Sequence, residues 1–344
     1  MPRRIALVDV SELIYAGYYV SNDDSKEIED TLRFPIAGAR FAIRRILGLK
    51  GSNDDVIAVM DSRTDKNLSD SRYKSNRDHI ADIHIQKEYL KFLLPNIGIK
   101  VAVEENYEAD DLIYSIVYSL PYDSYDMLTI VTDDSDISGV IVNDKISRVG
   151  ATSKTPTLDI NNYTALVKSG KYLPYNSVLA YHFFHGKPSN NISSLSNSKI
   201  LFERFLKFAE ANNIPDNRLS ERYVMLMFCK SLAISGELTN DDINHWLKRC
   251  DVIYPKTDGL KYSDIPNAKV DADIASTHLS MLRETPALTA LKVPRLAPNA
   301  IVLSKFDKFV SMYRSGASLV DADITADKSF MFTNEFEGDN TRSF

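Results

Sequence analysis

Short apolar runs alternate with segments of helical periodicity through the first 150 residues of the chain. Four of these runs, at residues 5–9, 56–61, 99–103 and 127–132, have the length and composition of buried strands. Strands that alternate with helices form a parallel sheet, because each crossover returns the chain to the same end of the sheet. We therefore predict an α/β fold built on a doubly wound, mostly parallel sheet with helices on both faces.

Acidic residues gather where these predicted strands end. Two of the runs end in aspartate, three further aspartates follow the run at 127–132, and three acids open the helix after the run at 99–103. The carboxyl ends of parallel strands share one edge, at which such sheets bind ligands. The carboxylates expected at that edge are Asp9, Asp61, Glu108, Asp110, Asp111, Asp134 and Asp136.

So many carboxylates cannot all ionise side by side without a compensating charge. A divalent cation supplies that charge, and ligation by carboxylates and water suits Mg²⁺ or Mn²⁺ rather than zinc. One or two such ions would activate water and stabilise the leaving oxygen. Such a centre is suited to metal-assisted hydrolysis of a phosphodiester bond.

The acidic cluster at the start of one helix also has a purely structural interpretation. Acids in a first turn stabilise a helix by interacting with its dipole, whether or not they bind anything. Helical spacing places Glu108 and Asp111 on one face and predicts that Asp110 points elsewhere.

Basic residues form two groups that suggest contact with nucleic acid. Residues 62–77 are polar and basic with no apolar period, which is typical of a loop or flap near a site. Arg40 and Arg44 share one face of a helix predicted over about 32–49. That face is either solvated or directed toward phosphate.

The whole chain of 344 residues has a net charge of −6, which argues against a protein coated in positive charge. Its two cysteines, Cys229 and Cys250, provide neither a disulfide framework nor a zinc cluster and fit a reducing compartment. No apolar stretch approaches ~20 residues, so we expect no membrane span and a cytoplasmic location, in the host cell if the gene belongs to a phage.

The predicted organisation changes near residue 150. We expect a catalytic domain over 1–150, a mainly helical nucleic-acid-binding domain over 151–316 and a flexible acidic tail over 317–344. The predicted helices of the second part lie at about 159–169, 174–184, 198–211, 219–234, 240–250, 271–284 and 299–315.

Three motifs together resemble the flap-endonuclease and 5′-to-3′ exonuclease family, whose catalytic domain is of the PIN type. They are Tyr107–Leu112 (YEADDL), Thr132–Asp136 (TDDSD) and Tyr73–Arg77 (YKSNR). The branch that the resemblance suggests is that of the phage replication ribonucleases H.

The resemblance implies a role for each matching residue. The first metal ion would be bound by Asp9, Asp61, Glu108 and Asp110, and the second by Asp111, Asp134 and Asp136; of these, Asp110 and Asp111 are also candidate catalytic residues. Lys74 and Arg77 would reach the scissile phosphate, and Tyr73 would stack on an unpaired base.

One motif departs from the family pattern. Where relatives carry two further metal-binding aspartates, residues 186–192 read GKPSNNI and place Lys187 and Asn190 at those positions. Lys187 would then occupy a metal position with its own charge, so the resemblance implies one firm site for Mg²⁺ or Mn²⁺ and a weakened second one. The degenerate hairpin region over 186–199 also leaves Lys187 and Lys199, with Arg40 and Arg44, as candidate contacts to nucleic acid.

The leading hypothesis is a monomeric, metal-dependent 5′-3′ nuclease that cuts RNA in RNA–DNA hybrids, as in primer removal, or 5′-flapped or 5′-ended DNA. A single-strand-binding protein or a sliding clamp would contact its tail. The alternative is a catalytically impaired protein that recognises branched nucleic acid, although pure binding does not require the acidic set. A HAD-type phosphatase is disfavoured, because Ser11 stands where that chemistry needs a second aspartate after Asp9.

Overall fold

The computed structural model describes residues 3–20, 23–32, 35–62, 66, 74, 81–152, 157–159, 164–166, 172–174, 177–215 and 218–294. The fold is α/β, with a five-stranded parallel sheet in the order β3-β2-β1-β4-β5. The strands are β1 (Arg4–Asp9), β2 (Asp55–Val59), β3 (Lys100–Ala102), β4 (Met127–Val131) and β5 (Ile146–Val149).

The described helices, in chain order, are α1 (Val10–Tyr19), α2 (Asp23–Leu32), α3 (Ala37–Lys50), α4 (Ala81–Asn96), α5 (Ala109–Ser119), α6 (Val178–His185), α7 (Ser198–Ala211), α8 (Arg222–Ile234), α9 (Asn240–Ile253), α10 (Ala272–Met281) and α11 (Thr285–Ala290). Short 3₁₀ helices occur at Tyr122–Ser124, Ser135–Val140, Pro188–Asn190 and Tyr262–Asp264. Among the residues described, no helix has both the length and the apolar character needed to cross a membrane.

The chain divides into two compact units. The first comprises Met1–Asp9, Asp61–His79 and Val103–Asp264 and contains β1, β4, β5 and helices α5 to α9. In this unit β1 pairs in parallel with β4, so that Ile5 lies opposite Leu128. β1 is buried from Ile5 onward because its apolar side chains are covered on both faces, as a central parallel strand requires.

The helices of the first unit enclose a second, aromatic core. Phe184 lies at its centre, with ring centroids 6.0 Å from those of Phe205, Phe228 and Trp246. Arg249 lies at the edge of this core and donates to the carbonyl oxygens of Phe183 and Ser193. These contacts fix α6 and the turn that follows it.

The second unit comprises Val10–Met60, Ile80–Ala102 and Ile265–Phe344 and, in its described part, contains β2, β3 and helices α1 to α4, α10 and α11. The glycines of α1 and α3 let these helices approach closely, since a Cβ on Gly17 would lie 2.4 Å from Cβ of Phe41. The buried Gln86 accepts a hydrogen bond from the backbone of Ala39 and ties α4 to α3.

The predicted α/β fold and its parallel sheet are confirmed, but one predicted element is wrong. Residues 164–166 and 172–174, predicted to be helical in part, form an antiparallel pair, β6 (Thr164–Leu166) and β7 (Tyr172–Pro174). The signal was a run with threonine and tyrosine around Ser169-Gly170, which is typical of a hairpin. The helix predicted over 299–315 and the tail lie outside the described residues. The first unit continues past residue 150, and the predicted domain division stays a prediction.

Candidate metal centre and active site

The start of α5 is built by its own acidic residues. Glu108 is the N-cap, with extended backbone at φ −85° and ψ 164°. The backbone N–H of Glu108 donates to Oδ2 of Asp111 at 3.0 Å, which closes the first turn. Asp111, which is fully buried, therefore holds the helix start in place.

Three carboxylates come together at this helix start. Ligand oxygens of Glu108, Asp110 and Asp111 lie within 4.8 Å of one another. The expectation that Asp110 points away from the other two was wrong. Helical spacing does not apply, because Glu108 has the extended backbone of a cap and not that of the helix.

Lys66 lies among these three carboxylates. Its ammonium is 2.8 Å from Oε2 of Glu108, 2.9 Å from Oδ1 of Asp111 and 3.7 Å from Oδ1 of Asp110. The side chain of Lys66 is only 2% exposed, so these ion pairs are screened little by water. The sequence placed Lys66 only within a basic segment and did not single it out.

The carboxyl groups of the cluster differ in how readily they ionise. Burial raises the pKa of Glu108, but attraction to Lys66 and Lys74 outweighs burial and lowers the pKa to about 2. Asp110 behaves in the opposite way. Burial, together with repulsion from Asp111 and Glu108, raises its pKa to about 7 despite the nearby Lys66.

Asp61 is hydrogen-bonded to the start of α5, whereas Asp9 is linked by hydrogen bonds to the second acidic pair. Oδ1 of Asp61 accepts from the backbone N–H of Ala109 at 2.9 Å, so this carboxylate lies at the N-terminus of α5. Asp9, at the end of β1, accepts from Oγ1 of Thr132 at 3.3 Å. The same hydroxyl oxygen accepts from the backbone of Asp134 at 3.2 Å, which connects Asp9 to the second acidic pair.

The second acidic pair, Asp134 and Asp136, is neutralised by a lysine. The ammonium of Lys187 lies 3.4 Å from Oδ1 of Asp134 and forms a short contact with Oδ2 of Asp136. Burial lowers the pKa of Lys187, but the two carboxylates outweigh burial and raise it well above its ordinary value. His182 adds a third contact, with Nε2 at 3.5 Å from Oδ1 of Asp136.

A tight turn over residues 186–192 links the two acidic groups. Gly186 has φ +78°, and a Cβ there would lie 2.4 Å from the carbonyl oxygen of Ile192, so the turn requires glycine. The turn presents Lys187 to the second pair. The carbonyl of Asn190 accepts from the backbone N–H of Lys74 at 3.0 Å, and the ammonium of Lys74 contacts Glu108.

The donor chemistry of the first cluster fits a divalent metal ion. Its ligand atoms are carboxylate oxygens, which hard cations such as Mg²⁺ and Mn²⁺ prefer. The raised pKa of Asp110 indicates that a further positive charge would be stabilised there. Asp111 lies with Glu108 and Asp110, and its assignment to the second ion stays a prediction.

The predicted nucleic-acid contacts have separate outcomes. Arg40 is buried, and its Nε lies 2.9 Å from Oε1 of Glu284, so its assignment to a phosphate-binding surface was wrong. Arg44 pairs with the same glutamate while its side chain stays 45% exposed.

Lys187 faces two carboxylates and is not directed to solvent phosphate. Lys199 is exposed at the start of α7. Tyr73 and Arg77 lie outside the described residues.

Comparison with known proteins is consistent with this centre. Residues 4–167 match the family described as 5′-3′ exonuclease, N-terminal resolvase-like domain. A 5′-3′ exonuclease of Buchnera aphidicola subsp. Schizaphis graminum is 27% identical over 279 residues, which cover 79% of this chain and 88% of that protein.

Two solved structures also align with this chain. The D15 protein of T5, co-crystallised with metal ions, aligns at 15% identity with a TM-score of 0.47, covering 90% of this chain and 98% of that one. The catalytic core of Rad2 in complex with a DNA substrate aligns at 17% identity and the same TM-score of 0.47, covering 86% and 92%.

The family predicted from the motifs is confirmed by the match over 4–167, which contains every predicted metal ligand. The ribonuclease H branch is a finer assignment and stays a prediction. Residues 4–167 of this chain are thus similar to the N-terminal resolvase-like domain of the 5′-3′ exonuclease family.

Proposed function

We propose that this protein is a metal-dependent nuclease that hydrolyses phosphodiester bonds from the 5′ side of a nucleic acid. Its substrates would be RNA in RNA–DNA hybrids, or DNA with a 5′ flap or 5′ end. The observation that carries the proposal is the convergence of Glu108, Asp110 and Asp111 within 4.8 Å of one another. The family of residues 4–167 gives independent support.

The residues at this centre would have different roles. Glu108, Asp110 and Asp61 would hold the ion, while Asp111 fixes the helix start from which Glu108 and Asp110 project. A bound Mg²⁺ or Mn²⁺ would supply an activated water and stabilise the leaving oxygen. Asp9 is connected to Asp134 through hydrogen bonds with the hydroxyl of Thr132.

Lys74 is placed to balance charge on the reacting phosphate. Its ammonium contacts Glu108, and its field also acts on Asp110 and Asp134. Because its side chain is 28% exposed, it can turn from the carboxylate to an incoming phosphate. A cation positioned there stabilises the charge that develops in the transition state.

The contacts of Lys187 favour one tightly held ion. An ammonium already lies between Asp134 and Asp136, so a second divalent ion would have to displace an intramolecular ion pair. We therefore infer that the second acidic pair is held by Lys187 and binds a second ion weakly.

The test compares cleavage of a 5′-labelled RNA–DNA hybrid and a matched 5′-flap DNA with Mg²⁺, Mn²⁺ or EDTA. We expect product only with metal, and none from Asp110→Asn, which should still bind substrate. Asp241→Asn is the matched control, because Asp241 is exposed in the first turn of α9. Full activity of Asp110→Asn would overturn the metal assignment.

The same experiment separates the proposal from its alternative. Salt-dependent binding without product under any metal would identify a nucleic-acid-binding protein that has lost catalysis. Product lengths would separate cutting from the end from internal cutting. The proposed contacts of the tail, over 317–344, with a single-strand-binding protein or sliding clamp need a separate binding experiment.

A further inference from the structure

A pocket of about 850 Å³ in the first unit has no role in the mechanism proposed above. Its walls come from α5, from the start of α8 and from residues 251–258. The volume is within the range of ~300–1,000 Å³ in which proteins bind small ligands. The pocket is therefore large enough to enclose a compact organic group.

The pocket adjoins the acidic cluster through two shared residues. Lys66 lines it, and the ammonium of Lys66 binds Glu108 and Asp111. Lys256 also lines it, and the backbone N–H of Lys256 donates to Oδ1 of Asp111 at 2.7 Å. A ligand in the pocket would thus touch residues that themselves contact the proposed metal ligands.

Tyrosine is the residue type that dominates the lining. Five of the lining residues are tyrosines, and two of these, Tyr118 and Tyr223, are 38% and 40% exposed. Tyr107 also lines the pocket, and its hydroxyl donates to Oδ1 of Asp258 at 3.2 Å. Neutral aromatic rings are the surfaces on which unpaired nucleobases stack.

The charges of the lining favour a base over a phosphate chain. Three cations, Lys66, Arg222 and Lys256, are matched by three acids, Glu221, Asp251 and Asp258. Arg222 is already paired with Asp251. A lining without net positive charge does not attract a polyanion, whereas its carboxylates can accept hydrogen bonds from the amino groups of a base.

We propose that this pocket holds one unpaired nucleobase of the substrate strand, stacked on Tyr118 or Tyr223 beside the acidic cluster. The proposal rests on the proposed function for the identity of the strand. It assigns Tyr118 and Tyr223 to substrate binding, outside the set of charged residues that holds metal and phosphate.

The experiment uses the full chain in EDTA, so that no substrate is cut. A 5′-flap DNA with 2-aminopurine as the first unpaired base is titrated with the wild type, with Tyr118→Leu and with Tyr223→Leu. We expect the wild type to quench the fluorescence, because stacking on a ring quenches this base. At least one of the two variants, the one that removes the stacking ring, should lose quenching and bind at least about fivefold more weakly. Tyr122→Leu is the control, because Tyr122 is 49% exposed and does not line the pocket.

Unchanged quenching and affinity in both pocket variants would overturn the assignment. The assignment is also overturned if the free 2-aminopurine nucleotide binds as tightly as the flap DNA, because the site would then bind a free nucleotide and not a strand. Metal-dependent cleavage by the same proteins is measured separately. If the wild type cleaves and the pocket variants bind and quench as it does, only the pocket assignment is refuted. If the wild type quenches but does not cleave, only the proposed nuclease activity is refuted.

Discussion

Replacing Lys66 with methionine tests how the acidic cluster is held together without metal. Methionine keeps much of the apolar stem of the lysine but removes the ammonium that lies 2.8 Å from Glu108 and 2.9 Å from Asp111. The two carboxylates then stay buried beside Asp110 without their principal counter-charge. We expect the metal-free protein to be strongly destabilised.

The size of the effect follows from the pKa of Glu108. Burial alone would raise this pKa, but Lys66 and Lys74 lower it from an ordinary 4.5 to about 2. A lowering of that size is worth about 3 kcal/mol of unfolding free energy at neutral pH. Removing one partner of a buried ion pair typically costs ~3–5 kcal/mol, which agrees.

The sign of the pH dependence follows from the same carboxylate. Because the pKa of Glu108 is lower in the folded state, its contribution is present above about pH 4.5 and is lost as the pH falls toward 2. Lys66→Met should therefore lose part of this acid-dependent stability, and the Lys74 contact should retain the rest.

The measurement is urea unfolding of the wild type and Lys66→Met, with EDTA and with saturating Mg²⁺. In EDTA the variant should be less stable by about 3 kcal/mol. Added Mg²⁺ should stabilise the variant more than the wild type, because the ion no longer competes with an ammonium. Lys91→Met removes an i,i+3 pair with Glu88 whose side chains are 17% and 12% exposed, and it should cost less than Lys66→Met because water reaches both charges. Equal stability of Lys66→Met and the wild type in EDTA would refute this account of the cluster.

The remaining predictions concern metal count, pH and folding. Manganese bound per chain, counted by electron paramagnetic resonance, should rise from one in the wild type to two in Lys187→Asp, and two ions in the wild type would contradict the inference. Burial lowers the pKa of His278 to about 3, so unfolding free energy should fall by up to about 5 kcal/mol as the pH drops from 6.5 toward 3. His278→Leu should flatten that dependence in urea midpoints, while His245→Leu, at an exposed position, should leave it unchanged. Arg40→Met should lower unfolding free energy by ~3–5 kcal/mol because it leaves the buried Glu284 with Arg44, whose side chain is 45% exposed, in place of its buried partner. Arg44→Met should lower it by less than about 1 kcal/mol, and DNA affinity unchanged by Arg40→Met would support a structural role for Arg40.

The sequence alone determined the sheet and the edge that carries the acids. Apolar period and length are local properties, so the runs at 5–9, 56–61, 99–103 and 127–132 could be read as strands and are found as β1 to β4. Parallel strands share one carboxyl edge whatever their order, which is why the strand-end acids could be predicted to lie together. Local reading was wrong at 164–166, where a short strand pair was taken for a helix.

The tertiary structure decided which cation neutralises which acid. Lys66 and Glu108 are 42 residues apart, and Lys187 and Asp136 are 51 apart, yet both pairs are in direct contact. Arg40, which shares a helix face with Arg44, is buried against Glu284, 244 residues away. The energy of an ion pair depends on the distance between its two charges in space, and separation along the chain does not determine that distance. The lysines that hold the acidic groups, and the tyrosine pocket beside them, therefore appear only once the chain is folded.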